Sequence, residues 1–131
     1  MAIAITAFYG SMLAFWHIFL TFRVIGFRRG NKVSLGTGGD ELGERVIRAH
    51  GNSAETVPIF LILMGLAEGL GLSAVLLHTI ALVFLFGRIL HGLHFLAIRD
   101  GFRLRVFGML MTLLSMTAMA GSTLIISLQS L

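Results

Sequence analysis

Apolar positions in this chain do not alternate with polar ones; they run together, and four long runs divide it. The first, Ala2 to Phe22, carries no charge, and the second, Thr56 to Leu72, carries Glu68 near its end. The third extends from Leu72 to about Ile98 and contains Arg88, His91 and His94. The fourth, Val106 to Leu131, is again uncharged. A helix of about 20 apolar residues crosses a bilayer, so each run predicts a membrane-spanning helix. The polar stretch from Glu41 to Glu55 has no breaker beyond single glycines and should continue the second helix below the membrane. The expected spans are therefore 2–27, 41–71 with that extension, 72–99 and 104–130. The first run lacks a basic leading segment and ends on Arg23-Val-Ile-Gly-Phe-Arg-Arg, which reads as a stop-transfer edge and not as a cleaved leader.

The connections carry the orientation. Gly30 to Asp40 is rich in glycine and polar residues and reads as a loop. Asp40 can cap the helix that follows, whose first turn holds Glu41 and Glu44 as the helix dipole prefers. The turn Glu68-Gly-Leu-Gly-Leu-Ser has no Lys or Arg, whereas Arg99-Asp-Gly-Phe-Arg is short and basic. Positive charge thus gathers on the first and third loops, which predicts that both face the cytoplasm and both termini the other side. No repeat or heptad array interrupts the pattern, so residues 1–131 read as one domain. The expected architecture is an all-α integral membrane protein, an up-down bundle of four transmembrane helices.

Composition narrows the classes further. Hydrophobic residues make up 56% of the 131 positions and charged residues 12%, with a mean hydropathy of +0.93. A chain this short cannot hide so much apolar surface in one core, so a soluble globule and a disordered chain are both excluded. The net charge of +4 would suggest nucleic acid only if it formed a solvated basic face. Here the cations mark the edges of apolar runs, so no nucleic-acid partner is expected. There is no cysteine, which removes disulfides, thiolate metal sites and a cysteine nucleophile.

An ionisable group inside a span costs at least about 2.5–3.5 kcal/mol on insertion scales, so each one is a candidate for function. Arg48, Asn52 and Glu55 recur at i, i+4 and i+7 and fall within about 60° of one another on a helix. Arg45 extends the stripe, and Pro58 should kink the helix beside Glu55. His50 falls on the opposite side and should face solvent. Arg88 and His91 share a face of the third helix with Phe95. Arg88 lies about 16 Å along the helix from Arg99, deep enough to need a partner, and Glu55 is the expected one. His91 and His94 have a spacing that can place two metal ligands, but no third is near, so no metal is expected. Arg99, Arg103 and Arg105 surround the last basic turn, and Arg105 heads the fourth span where a helix can aim it inward. His17 and His78 are expected to be hydrogen-bonded core histidines, and Glu68 to be snorkelled or solvated at the far interface.

The stretch Arg45-Val-Ile-Arg-Ala-His-Gly-Asn-Ser-Ala-Glu-Thr-Val-Pro-Ile-Phe closely resembles the second-helix signature of the MAPEG family, membrane-associated proteins in eicosanoid and glutathione metabolism. Arg48, Asn52 and Glu55 reproduce its most specific part, Arg88-Ile-Leu-His91 is similar to the third-helix pattern, and the basic turn from Arg99 to Arg105 follows in place. The resemblance covers nearly the whole chain. His91 and Phe95 stand where animal members carry tyrosines, and Tyr9 is the only tyrosine, so the chain looks like a bacterial member of an inner membrane.

The resemblance implies a homotrimer that binds glutathione as cosubstrate between neighbouring subunits near the cytoplasmic face. Arg48, Asn52 and Glu55 would hold the tripeptide, with Arg88 and His91 beside them. Arg28 or Arg29 would reach a glutathione carboxylate. Arg105, with Arg103 as second choice, would stabilise the thiolate. A fixed guanidinium lowers a thiol pKa from about 8.5 and so makes the nucleophile at neutral pH. The implied activity is that of a membrane glutathione transferase, conjugating glutathione to hydrophobic electrophiles or reducing lipid hydroperoxides. The rival is a non-catalytic binding or structural membrane protein on the same scaffold. A transporter is disfavoured, because the chain has no inverted repeat or broken helix pair.

Overall fold

The expected order of elements appears in the computed structural model, which describes residues 3–96 and 102–131. Helix α1 is Ala4–Asn31, α2 is Glu41–Gly69, α3 is Ala74–Leu96 and α4 is Phe102–Ser130. The expected end of the third span, with Arg99, lies outside the described residues. Asp40 caps α2 as expected, its carboxylate accepting from the Gly43 N–H at 3.0 Å. α1 ends where Lys32 turns left-handed and the Val33 N–H returns to the Arg28 carbonyl at 2.9 Å, a closure that satisfies carbonyls the helix leaves open. Pro58 sits inside α2 without ending it.

The helices α1, α3 and α4 are each long and apolar enough to cross a membrane. α2 does not reach that standard, because Glu41, Glu44, Arg45, Arg48 and Glu55 all fall in its first half.

α2 and α3 form the central pair. α1 packs on both of them from one flank and α4 from the other, and α1 and α4 do not touch among the described residues. The main core joins Tyr9, Leu13, Phe60, Met64, Leu77, Phe84 and Met119, with the Phe60 and Phe84 rings stacked 3.8 Å apart. Leu20, Ala49 and Phe95 form a smaller cluster toward the basic end. The outer faces stay apolar: Phe8, Phe15 and Phe22 of α1 and Leu110, Leu114 and Leu128 of α4 are all exposed. Stripes of that size are stable against acyl chains and not against water.

The α3–α4 contact is the closest in the bundle, and glycine makes it possible. A methyl group built on Gly108 would sit 2.7 Å from the His91 nitrogen and 2.9 Å from the Gly87 carbonyl oxygen. Thr112, one turn beyond Gly108, is wholly buried and returns its hydroxyl to the Gly108 carbonyl at 2.8 Å. Close backbone approach over small residues is how helices associate where lipid removes the usual hydrophobic drive.

At the opposite end, Glu68 departs from the expectation of a solvated interfacial acid. Its two carboxylate oxygens accept from the Ile5 and Thr6 N–H groups at 2.9 and 2.7 Å. α1 has no side-chain cap of its own, so an acid from α2 caps its first turn and ties the two helices together. Replacing a good cap costs about 0.5–2 kcal/mol. Glu68→Ala is therefore expected to destabilise the protein by about 1–2 kcal/mol, and Glu68→Gln by less. Thermal unfolding in detergent checks the order; equal loss in both variants would show that the neutral amide keeps none of the cap and that the carboxylate charge carries all of it.

Candidate functional site

Three helices bring charged groups to the basic end. α2 carries the stripe: Arg48 and Glu55 are exposed and Asn52 is half-buried. Asn52 donates one amide N–H to the Arg48 carbonyl at 2.9 Å, and the Thr56 hydroxyl donates to the Asn52 carbonyl at 2.8 Å. The first of these bonds holds the Asn52 side chain on its own helix and leaves its Oδ1 for a ligand. Ser53 lines a groove against α1. Glu55, two positions on, is about 200° further round the helix, so the stripe lies on the side of α2 away from α1.

α3 supplies Arg88 and His91, each 1% exposed. Arg88 Nη2 lies 3.3 Å from His91 Nδ1, while its Nε and Nη1 have no partner among the described residues. The expected Arg88–Glu55 ion pair is not formed. Glu55 stays exposed on the outer face of α2 and acts on Arg88 only through space. A buried pair would have to repay the desolvation of both ions, and this geometry does not require it. Arg45, expected to extend the stripe, instead pairs with Glu41 at 3.8 Å and reaches the His94 carbonyl at 3.5 Å.

α4 begins above this layer. The Arg105 guanidinium carbon lies 5.5 Å from the centre of the Phe95 ring, within cation–π range. The charges of Arg88, Arg105 and His94 all bear on His91, whose ring meets Phe95 edge-on at 5.1 Å. Arg103, about 200° from Arg105 on the helix, borders an outer apolar groove with Phe102, Phe107 and Leu110. The structure thus brings Arg88, His91 and Arg105 together and leaves Arg103 outside that group.

Arg28 is half-buried at the end of α1 and Arg29 is exposed. Because α1 and α4 lie on opposite flanks of the central pair, Arg28 and Arg105 of one chain stand on opposite sides of the bundle.

Several residues read differently from the sequence. His50 does not face solvent; its ring packs on that of His17 with centres 4.4 Å apart. His17 finds a ring contact there in place of the expected hydrogen bond. His78 does meet a hydrogen-bonding group, the Tyr9 hydroxyl at 3.2 Å, but is exposed and not part of the core. His94, buried with its Nδ1 unpartnered among the described residues, and Phe95 were not assigned roles from sequence. Their spacing from His91 was visible, but only the start of α4 showed what Phe95 supports.

A helical bundle with apolar outer faces and a buried guanidinium–imidazole pair at its basic end defines a multi-pass integral membrane protein with a polar site. The chain belongs to the MAPEG family, whose model matches residues 6–125. It is 33% identical over 92 residues to the inner membrane protein YecN of Escherichia coli K12, covering 69% of this chain and 70% of that protein. The YecN protein of Escherichia coli O6:H1 matches over the same shares at the same identity. These relatives agree with a bacterial-type member of the family and with a membrane location.

Proposed function

We propose that this protein is a membrane glutathione transferase-like enzyme, which conjugates the glutathione thiolate to hydrophobic electrophiles or uses it to reduce lipid hydroperoxides. The observation that carries the reading is the Arg48–Asn52–Glu55 stripe on α2, with Arg48 and Glu55 exposed, in a chain whose buried Arg88 and His91 sit with Arg105 at the same end. Arg48 offers a forked cation for a glutathione carboxylate. Asn52 Oδ1 accepts from a peptide N–H, and Glu55 meets the ammonium group. Arg105 stands where the thiol sulfur would lose its proton. With a chlorinated nitroaromatic, the thiolate forms the carbon–sulfur bond and chloride leaves. The absence of cysteine from the chain agrees with a reactive sulfur that arrives on the cosubstrate.

Homotrimer assembly belongs to the same proposal, and the fold supports it. A site that uses both Arg28 and Arg105 must draw them from different copies, since the two helices lie on opposite flanks. Purified protein in detergent, given glutathione and chlorodinitrobenzene, should show thiolate absorbance and product together, and Arg48→Ala should raise the glutathione requirement at least tenfold, the scale of one lost charged hydrogen bond. No glutathione binding at millimolar concentration overturns both the activity and the site assignment.

A further inference from the structure

The face of α2 that meets α1 carries a second polar feature, separate from the Arg48–Glu55 stripe. A groove of about 290 Å³ lies between the two helices, with His17 and Ser53 as its polar side chains and Leu13, Val57 and Leu61 among its apolar walls. Ser53 is wholly buried and its hydroxyl has no hydrogen-bond partner among the described residues. That is unusual within this molecule. The buried hydroxyls of Thr112, Ser115 and Thr123 each return to a carbonyl of their own helix one turn back, the ordinary solution for a helical hydroxyl in an apolar setting. A buried donor left unmade is expensive, and Ser53 belongs to the lining of a groove wide enough to hold an acceptor, which its hydroxyl reaches by a change of rotamer.

Pro58, also in the lining, adds the opposite character. It has no N–H to give the Ala54 carbonyl one turn back, so an acceptor stands free of its helical partner beside the Ser53 donor. The imidazole of His17, packed on that of His50, can donate or accept. The lining holds no Lys, Arg, Asp or Glu, so the groove is matched to a neutral molecule and not to a headgroup phosphate or a carboxylate. Its depth points the same way. His17 is about 16 Å along α1 from Arg28, a level that lipid-soluble molecules reach and polar metabolites do not. The volume lies at the lower edge of the roughly 300–1,000 Å³ of small-molecule sites. It suits one substituted ring, with an apolar tail leaving past Ala14 and Ala54, which are exposed at the rim.

We propose that this groove binds the ring of a lipid-soluble quinone, with Ser53 and His17 donating to a ring carbonyl and the Ala54 carbonyl available to the hydroxyl of the reduced form. The site uses none of the residues assigned to glutathione, and it stands or falls without them.

Trp16, the only tryptophan in the chain, precedes His17 and is a built-in reporter, because quinones quench indole emission at short range. The full chain in phospholipid nanodiscs, without glutathione, is titrated with decylubiquinone. The expected result is saturable quenching of Trp16. Ser53→Ala and His17→Phe should each weaken the midpoint about tenfold, and Ala54→Phe, which fills the rim, should remove the saturable part while thermal midpoint and particle size stay unchanged. Quenching that rises linearly and equally in the wild type and Ala54→Phe is collisional and overturns the proposal. Displacement of the quinone by laurate at the same concentration overturns the choice of a neutral carbonyl ligand. Cross-linking of Ala54→Cys to a second copy, clean in a chain with no other thiol, would make the groove a subunit contact and overturn it as well.

Discussion

Valine at position 108 is expected to separate α3 from α4 and to destabilise the bundle by about 3 kcal/mol, the upper part of the overpacking range. The argument rests on what the added atoms meet. At Gly108 even a single methyl group would press on the His91 nitrogen, the His91 Cα and the Gly87 carbonyl oxygen, at 2.7 to 3.0 Å. All of these are backbone atoms of a helix, so none can turn aside as a side-chain tip would; the helices must move apart. A methyl on Gly87 would meet the Met111 Cβ at 2.9 Å and the Gly108 oxygen at 3.0 Å, a milder conflict. A methyl on Gly121, further along α4, would meet nothing within 4 Å, and an alanine there gains helix propensity worth up to about 1 kcal/mol. The expected order of thermal stability is therefore Gly121→Ala above wild type, then Gly87→Ala, then Gly108→Ala, then Gly108→Val. Equal stability of Gly108→Ala and Gly121→Ala would show that the close crossing does not exist. Because His91 and Arg105 lie on the two helices of that crossing, Gly108→Val should also disperse the charged layer without touching any member of it.

The bundle was legible because membrane helices announce themselves by length. The Asp40 cap was legible for a local reason: an acid at the boundary can bond to the N–H three residues on. The features that sequence could not supply are relations between helices. Glu68 looks like an interfacial acid until α1 is seen to start against it. Glu55 and Arg88 look like an ion pair when each is considered only as a charge in a span, since each then lacks a partner. Their helical phases place one outside and the other inside, and phase between two helices is set by packing. The small residues Gly87, Gly108 and Thr112 were readable as a close-packing pattern, and that signal would have located the α3–α4 crossing. The stripe of Arg48, Asn52 and Glu55 was readable because it lies on a single helix, where spacing alone fixes the geometry.

On the glutathione reading, Arg105→Ala is expected to reduce the bound thiolate at pH 7 to about 3%, the fraction an unassisted thiol of pKa about 8.5 would show. Arg103→Ala should leave it near the wild-type level. The two arginines differ by two positions, and the resemblance put Arg105 first with Arg103 as second choice. Packing separates them: Arg105 lies over Phe95 and adds its charge to the His91 layer, whereas Arg103 borders an apolar groove on the outer surface. A guanidinium held against an aromatic face is preorganised, and charge stabilisation of a developing anion depends on donors that are already in place. Phe95→Leu should therefore lower thiolate formation even though leucine carries no charge to lose, while Arg105→Lys should recover part of it because the charge remains. Ultraviolet thiolate absorbance, measured at saturating glutathione across pH, reads all four variants directly. A larger loss in Arg103→Ala than in Arg105→Ala would move the thiol to the outer groove. An unchanged thiolate fraction in Phe95→Leu would show that the Arg105–Phe95 contact plays no part in fixing the cation.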